Sequence, residues 1–224
     1  VITDTGDAEG SVMEQHEVPS LNVDDVEAVL TRFRGEIDQV PPMYSALKHQ
    51  GKKLYELARE GKHVERAARR ISVYDARLLS FDGTAFELEV SCSKGTYIRT
   101  LAEDIGQALG CGAHISQLRR LKTGPFLADA MWTLEALEAL ANQAALEAEL
   151  MPVDVLVDHL PLLTVDDTAH ARLAHGQPAA LETGALAADD VARLYYAETF
   201  IGLGVVKGTQ EVAPKRLLST VAIS

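Results

Sequence analysis

Cysteine is scarce in this 224-residue chain, which holds two, Cys92 and Cys111. So few thiols exclude a disulfide framework and fit a reducing compartment. Long apolar runs are missing too. No stretch approaches the roughly 18 apolar residues that a membrane span needs, and the start lacks the charge and apolar core of a signal peptide. The expectation is a cytoplasmic protein with no membrane partner. Positive charge is in deficit, with 21 Lys and Arg against 33 Asp and Glu, a net charge of −12. Taken alone, that balance speaks against nucleic acid, because phosphate binding rests on Lys and Arg. A glycine-rich phosphate loop and a nucleophile elbow are also absent; "GLGVVKG" lacks the Gly-Lys-Ser/Thr ending and reads as a β turn.

What is present changes that balance. An apolar content of 47% supports a real core. The charge is unevenly spread: residues 44–70 carry eight bases, Lys48, Lys52, Lys53, Arg59, Lys62, Arg66, Arg69 and Arg70, against three acids. Residues 123–190 carry one base, Arg172, against twelve acids. Such a bipolar chain can offer a basic face to RNA while the acidic remainder keeps it soluble. A solvated helix face is the plainer reading of the same basic run.

The patterning predicts a helix in "SLNVDDVEAVLTRFRGEI", capped by Asn22 or Ser20, with Val26, Val29, Leu30 and Phe33 as its apolar stripe and Gly35 as its stop. Adjacent prolines make "QVPPMYSALKHQG" irregular. A short helix, "KLYELAREG", ends at Gly61. "RRISVYDARLLSFDG" and "AFELEVSCSKG" alternate with period two and read as an antiparallel hairpin turning at "DGT". In "RTLAEDIGQALG", Leu101, Ile105 and Leu109 are spaced by four, and Thr100 with Glu103 fits a capping box, which would set Arg99 just before the helix. "HISQLRRLKTGPF" reads as a strand and "TLEALEALANQAALEAEL" as one alanine-rich helix. A boundary falls near residues 150–160. After it come a short helix and the β-like "VARLYYAETFIGLGVVKG" and "VAPKRLLSTVAI".

Two constellations could carry chemistry. Cys111 and His114 have a C-x-x-H spacing, but a structural zinc needs about four ligands and no second pair stands nearby. A small buried cysteine is the bland reading, and a hydrolase using Cys111 and His114 the sharper one. Tyr97 and Arg99 follow the kink-permitting Ser93-Lys94-Gly95, where a backbone or ligand can approach closely. Arginine is the side chain best suited to hold a carboxylate with two parallel contacts.

Four ordered stretches, "TDTGDAEG" (3–10), "QVPPMYSALKHQGKKLYELAREG" (39–61), "CSKGTYIRTLAEDIG" (92–106) and "CGAHISQLRRLKTGPF" (111–126), resemble the bacterial TruB family of tRNA pseudouridine synthases. "FIGLGVV" and "VAPKRLL" resemble, less specifically, that family's C-terminal RNA-binding domain of the PUA type. The resemblance implies an α+β fold: a mixed, mainly antiparallel sheet flanked by helices, as a catalytic-domain remainder over 1–150, and a small β-rich PUA-like domain over 160–224. It implies isomerisation of uridine 55 in the tRNA T loop to pseudouridine by base flipping, with no metal, no organic cofactor and no protein partner. By the same resemblance, Arg99 pairs with the catalytic aspartate, Tyr97 contacts the flipped base, and Leu118 packs at the base pocket. Lys48, Lys52, Lys53, Lys94, Arg119 and Arg120 match the basic surroundings of the RNA stem.

One departure matters. The family's aspartate lies in a G-x-L-D-x-x-A-x-G motif upstream of T-D-T-x-D-A, and these 224 residues contain no such stretch. The chain is therefore expected to be the C-terminal two thirds of such an enzyme, inactive alone, with Arg99 left solvated or held by an anion. None of Asp4, Asp7 or Asp104 stands in the motif of the catalyst. The alternative expectation is a non-catalytic module that docks structured RNA.

Overall fold

The structure, a computed structural model, describes residues 1–218 and divides into two compact units, Val1–Arg119 and Arg120–Ser224. In the first, the short strands β1 (Ile2–Thr3) and β2 (Val12–Glu14) pair antiparallel. Helix α1 (Val23–Phe33) begins in a capping box. Asn22 Oδ1 accepts from the backbone N–H groups of Asp24 (2.8 Å) and Asp25 (3.1 Å), and Asp25 Oδ2 accepts from Asn22 N–H at 2.9 Å. Strand β3 (Gly35–Gln39) follows. The strands β4 (Lys48–His49) and β5 (Lys52–Lys53) form a minute hairpin leading into α2 (Leu54–Arg59).

Strands β6 (Arg69–Phe81) and β7 (Phe86–Cys92) form the expected hairpin, with β3 on the other side of β6. Its turn is built by Asp82, whose Oδ1 accepts from Thr84 N–H (2.9 Å) and Ala85 N–H (2.7 Å), and by Gly83 in the left-handed region at φ 98°. One sheet face is covered by α1 and by α3 (Ile98–Ala108), where Val26, Leu30, Leu101 and Ile105 are at most 1% exposed. Leu78, Phe81, Phe86, Leu88 and Val90 pack against them. Burial of each such aliphatic side chain is worth about 2 kcal/mol, so this layer fixes where α3 starts.

That start differs from the sequence reading. Tyr97, extended at φ −98° and ψ 106°, is the N-cap, so Arg99 lies within the first helical turn and Thr100 is not a cap. The Tyr97 carbonyl already accepts from Leu101 N–H at 3.0 Å, while the Thr100 hydroxyl is buried without a hydrogen-bond partner among the described residues. A threonine turned into the core cannot cap.

Further corrections concern the second unit and the segment leading to it. Residues 114–126 are not one strand: Ile115 makes an isolated bridge to Asp7, and only β8 (Lys122–Thr123) and β9 (Phe126–Leu127) pair. Gly124, at φ 56°, and Pro125, with no N–H, force the turn between them. The alanine-rich stretch breaks into α4 (Leu134–Glu138) and α5 (Gln143–Ala148). Asn142 interrupts it by capping α5, its Oδ1 accepting from Ala145 N–H at 3.0 Å. Neither helix has a buried residue to hold a longer rod together.

The β-rich part comprises β10 (Leu162–Val165), α6 (Asp167–Ala174), β11 (Ala179–Ala180), β12 (Val191–Tyr196), β13 (Thr199–Val206) and β14 (Glu211–Leu217). Its sheet runs β10-β12-β13-β14-β11, with only β10 and β12 parallel. Leu173, Leu194, Val206 and Val212 are fully buried at its core. "GLGVV" is strand rather than turn, because a Cβ at Gly202 would sit 2.3 Å from the Arg216 carbonyl, so only glycine lets β14 lie that close. The anticipated strand "VAPKRLLSTVAI" is found as far as Leu217, and its part from 219 onward lies outside the described residues.

Candidate active site

The N-terminal turn of α3 is where separate segments of the first unit converge. Arg99 Nη1 donates to Asp7 Oδ2 and to the Thr5 carbonyl, both at 3.0 Å, and Nη2 donates to the Tyr44 carbonyl at 2.9 Å. Arg99 is therefore not left solvated in this chain; its carboxylate partner is Asp7. The two side chains are 28% and 29% exposed, a partly desolvated pair open on one side. Of the five guanidinium N–H groups three are engaged, which leaves Nε and one Nη2 hydrogen without a partner among the described residues.

Asp7 is built into a tight loop. Gly6, at φ 73°, turns the chain, the Thr3 hydroxyl donates to the Asp7 carbonyl at 2.7 Å, and Ile115 N–H donates to the Gly6 carbonyl at 3.0 Å. Asp7 Oδ1 accepts from the Thr5 hydroxyl at 2.7 Å and from Glu9 N–H at 3.2 Å. These contacts, the Thr5 hydroxyl foremost, then Glu9 N–H and then Arg99, hold the Asp7 carboxyl below the usual aspartate range. It stays ionised and keeps Arg99 in place.

Tyr97, half-buried, adjoins Arg99 at the helix entry; exposed Lys94 lies in the turn before it, beside Gly95 at φ 87°. Sequence reasoning missed the residue that fastens this entry. Gln39, 2% exposed, donates from Nε2 to the Tyr97 carbonyl (3.1 Å) and accepts at Oε1 from Tyr97 N–H (2.8 Å). The only sequence signal was its place beside the two prolines in one of the quoted stretches.

The basic run splits by partner. Arg66 donates to the Pro41 carbonyl at 3.0 Å, Arg70 faces Glu36 and Asp38 across the β3–β6 ladder, and Lys62 pairs with Glu60 at 2.7 Å. Lys48 is exposed on the β4–β5 hairpin, whose tip turns through Gln50 and Gly51 at positive φ. Lys52 reaches Glu60 at 3.5 Å. Lys53 bonds the Tyr55 hydroxyl at 3.1 Å, and Arg59 lies 5.4 Å from the centre of the Tyr55 ring. Leu118, Arg119 and Arg120 sit in the irregular exposed segment, Leu118 at 63% exposure. Leu118 is thus not drawn into the Arg99 cluster.

Cys111 is buried and its N–H donates to the Gly106 carbonyl, while His114 Nδ1 is 3.2 Å from the Val1 carbonyl. Among the described residues no group of three His, Cys, Asp or Glu is arranged to hold a metal. A cleft of about 510 Å³ is lined by Glu14, His16, Glu103, Asp104 and Gln107, and Glu103 brings its edge next to Gly6 and Arg99. Burial pushes the Glu103 and Asp104 carboxyls up, and Asp104 adds to the effect on Glu103. An acidic wall of this kind repels phosphate.

Comparison with known proteins identifies the family. Residues 1–98 match the TruB family pseudouridylate synthase N-terminal domain, 99–158 the tRNA pseudouridylate synthase B C-terminal domain, and 161–218 the pseudouridine synthase II TruB C-terminal domain. A tRNA pseudouridine synthase B of Chromohalobacter salexigens is 63% identical over 223 residues, covering 100% of this chain and 72% of that protein. The protein of that name from Chromobacterium violaceum is 50% identical, covering 99% and 72%. Among solved structures, a Cbf5-Nop10-Gar1 complex contains a chain with TM-score 0.63 and 27% identity, covering 91% of this chain and 64% of that one. An H/ACA RNP bound to a substrate RNA containing 2'-deoxyuridine gives TM-score 0.61 at 25% identity, covering 91% and 63%. The chain belongs to the TruB family of tRNA pseudouridine synthases.

Proposed function

We propose that the protein carrying this chain isomerises uridine 55 in the T loop of tRNA to pseudouridine, in the cytoplasm and without cofactor or protein partner. The observation that carries this reading is Arg99. It is anchored on Asp7 and two backbone carbonyls, and two of its donors, without a partner among the described residues, are available to hold a second carboxylate. In the isomerisation the bond from ribose C1' to uracil N1 breaks and C5 of the turned ring bonds C1'. The proton on C5 leaves and N1 takes one up. The atoms balance with no oxidant, reductant or group donor.

In this reading the residues divide the work. The second carboxylate, an aspartate in the G-x-L-D-x-x-A-x-G context that these residues lack, works at the ribose, and the fork of Arg99 fixes its direction. Tyr97 meets the extruded uracil, and Leu118, exposed here, closes on the base pocket when RNA is bound. Lys48, Lys52, Lys53, Lys94, Arg119 and Arg120 track the phosphates of the T arm. Residues 1–150 act as the catalytic-domain remainder, and residues 160–224 as a PUA-like RNA-binding domain.

Asp7 is the anchor of Arg99 and not the catalyst, since its carboxylate already has three donors: the Thr5 hydroxyl, Glu9 N–H and Arg99. The test is mass spectrometry of T-arm RNA after incubation. The 224-residue chain should form no pseudouridine, and a chain extended upstream to include the aspartate motif should form it. Pseudouridine made by the short chain overturns this assignment. RNA binding by both chains with turnover by neither favours a non-catalytic docking module.

A further inference from the structure

We propose that Gln39 is a positioning residue for the isomerisation, bracing the backbone of Tyr97 so that the base-contacting ring and Arg99 are presented together. This rests on the reading above that Tyr97 meets the extruded base.

Gln39 ends β3 and is the bulkiest polar side chain among the fully buried ones. Burying a carboxamide costs free energy unless its donors and acceptor are satisfied. Here both ends of the amide are matched to one residue 58 positions away, with the N–H and C=O of Tyr97 answered at 2.8 and 3.1 Å. The side chain thereby imitates a neighbouring β-strand at the point where none is present. It fastens the backbone of the N-cap residue itself, at a helix whose N-cap side chain makes no capping bond.

The brace also reaches Arg99. Five residues after Gln39, the Tyr44 carbonyl takes the Arg99 Nη2 hydrogen bond. Between them Pro41 and Pro42 restrict the backbone, and Arg66 grips the Pro41 carbonyl at 3.0 Å. One stiff segment, 39–44, thus holds both Tyr97 and Arg99. A methionine at 39 fills the same space and removes both amide contacts, so the Tyr97 backbone is freed without opening a large cavity.

The experiment uses the length of the protein that makes pseudouridine. It follows tritium release from T-arm RNA labelled at C5 of the target uridine, together with RNA affinity and thermal melting. Gln39→Met should lower kcat about tenfold, misplacement of a positioned group being costly, with KM and RNA affinity within about threefold of wild type and cooperative melting retained. Gln39→Asn, too short to span both contacts, should behave the same way and stands in if the methionine variant does not fold. Unchanged kcat in a folded variant overturns the proposal. So does a kcat loss matched by an equal loss of RNA affinity, which marks a merely structural amide. Tyr97→Leu separates the two readings. Wild-type turnover there contradicts the role of Tyr97, whereas lost turnover there with normal Gln39 variants contradicts the brace alone.

Discussion

Arg99 Nη1 and Asp7 Oδ2 stand 3.0 Å apart, joining the start of α3 to a loop 92 positions earlier. One charge-assisted hydrogen bond is worth about 1.5 kcal/mol, so Asp7→Asn should slow pseudouridine formation about tenfold with RNA binding retained. The pairing also contributes pH-dependent stability. The Asp7 carboxyl is lowered on folding, so its contribution is full above the ordinary value of 3.8 and is lost as acidification passes through the lowered one. Melting curves of the parent protein and Asp7→Asn should therefore converge in strong acid; a constant gap contradicts the pairing.

Asp104 should behave in the opposite sense. Its folded-state value is raised by burial, so the folded state binds more protons and stability falls as pH rises through 3.8 toward the raised value. Asp104→Asn is expected to melt higher than the parent protein at pH 7 and to lose that advantage at strongly acidic pH. A lower melting point at pH 7 refutes the account of the acidic cleft.

Phosphate contact should be legible in salt. For each true phosphate contact removed, the slope of log affinity against log salt falls by about 0.7 to 0.9. Lys48→Ala and Lys94→Ala, at exposed positions, should each show it. Arg70→Ala, whose side chain faces Glu36 and Asp38, should not. Equal slopes for all three variants contradict the division of the basic run.

Gly106 should tolerate no side chain. A Cβ there falls 2.3 Å from the Ala113 backbone nitrogen, against the loop that carries Cys111 and Gly112. Gly106→Ala is expected to destabilise by about 3 kcal/mol, measured by denaturant unfolding, and a neutral effect contradicts this packing.

The sequence was most informative where periodicity met burial. The stripe of Val26, Val29, Leu30 and Phe33 and the alternation along β7 both lie as their spacing predicts. It misled where a local signal competed with tertiary contact. Thr100 has the right spacing to Glu103 for a cap, yet the core claims Thr100 and Gln39 takes over the helix entry. The partner of Arg99 was illegible for a related reason: Asp7 is set by turns at Gly6 and by the contact with Ile115, which no spacing between 7 and 99 encodes. Tyr97 and Arg99 themselves stood out because charge and aromatic bulk interrupt an apolar passage.

The central claim is that Arg99 directs the catalytic carboxylate, and the kcat of Arg99→Lys tests it most directly. Lysine keeps the charge but loses the planar fork, so on T-arm RNA, with the length of the protein that makes pseudouridine, kcat should fall about a hundredfold while RNA affinity stays near wild type. Near wild-type kcat would contradict the account.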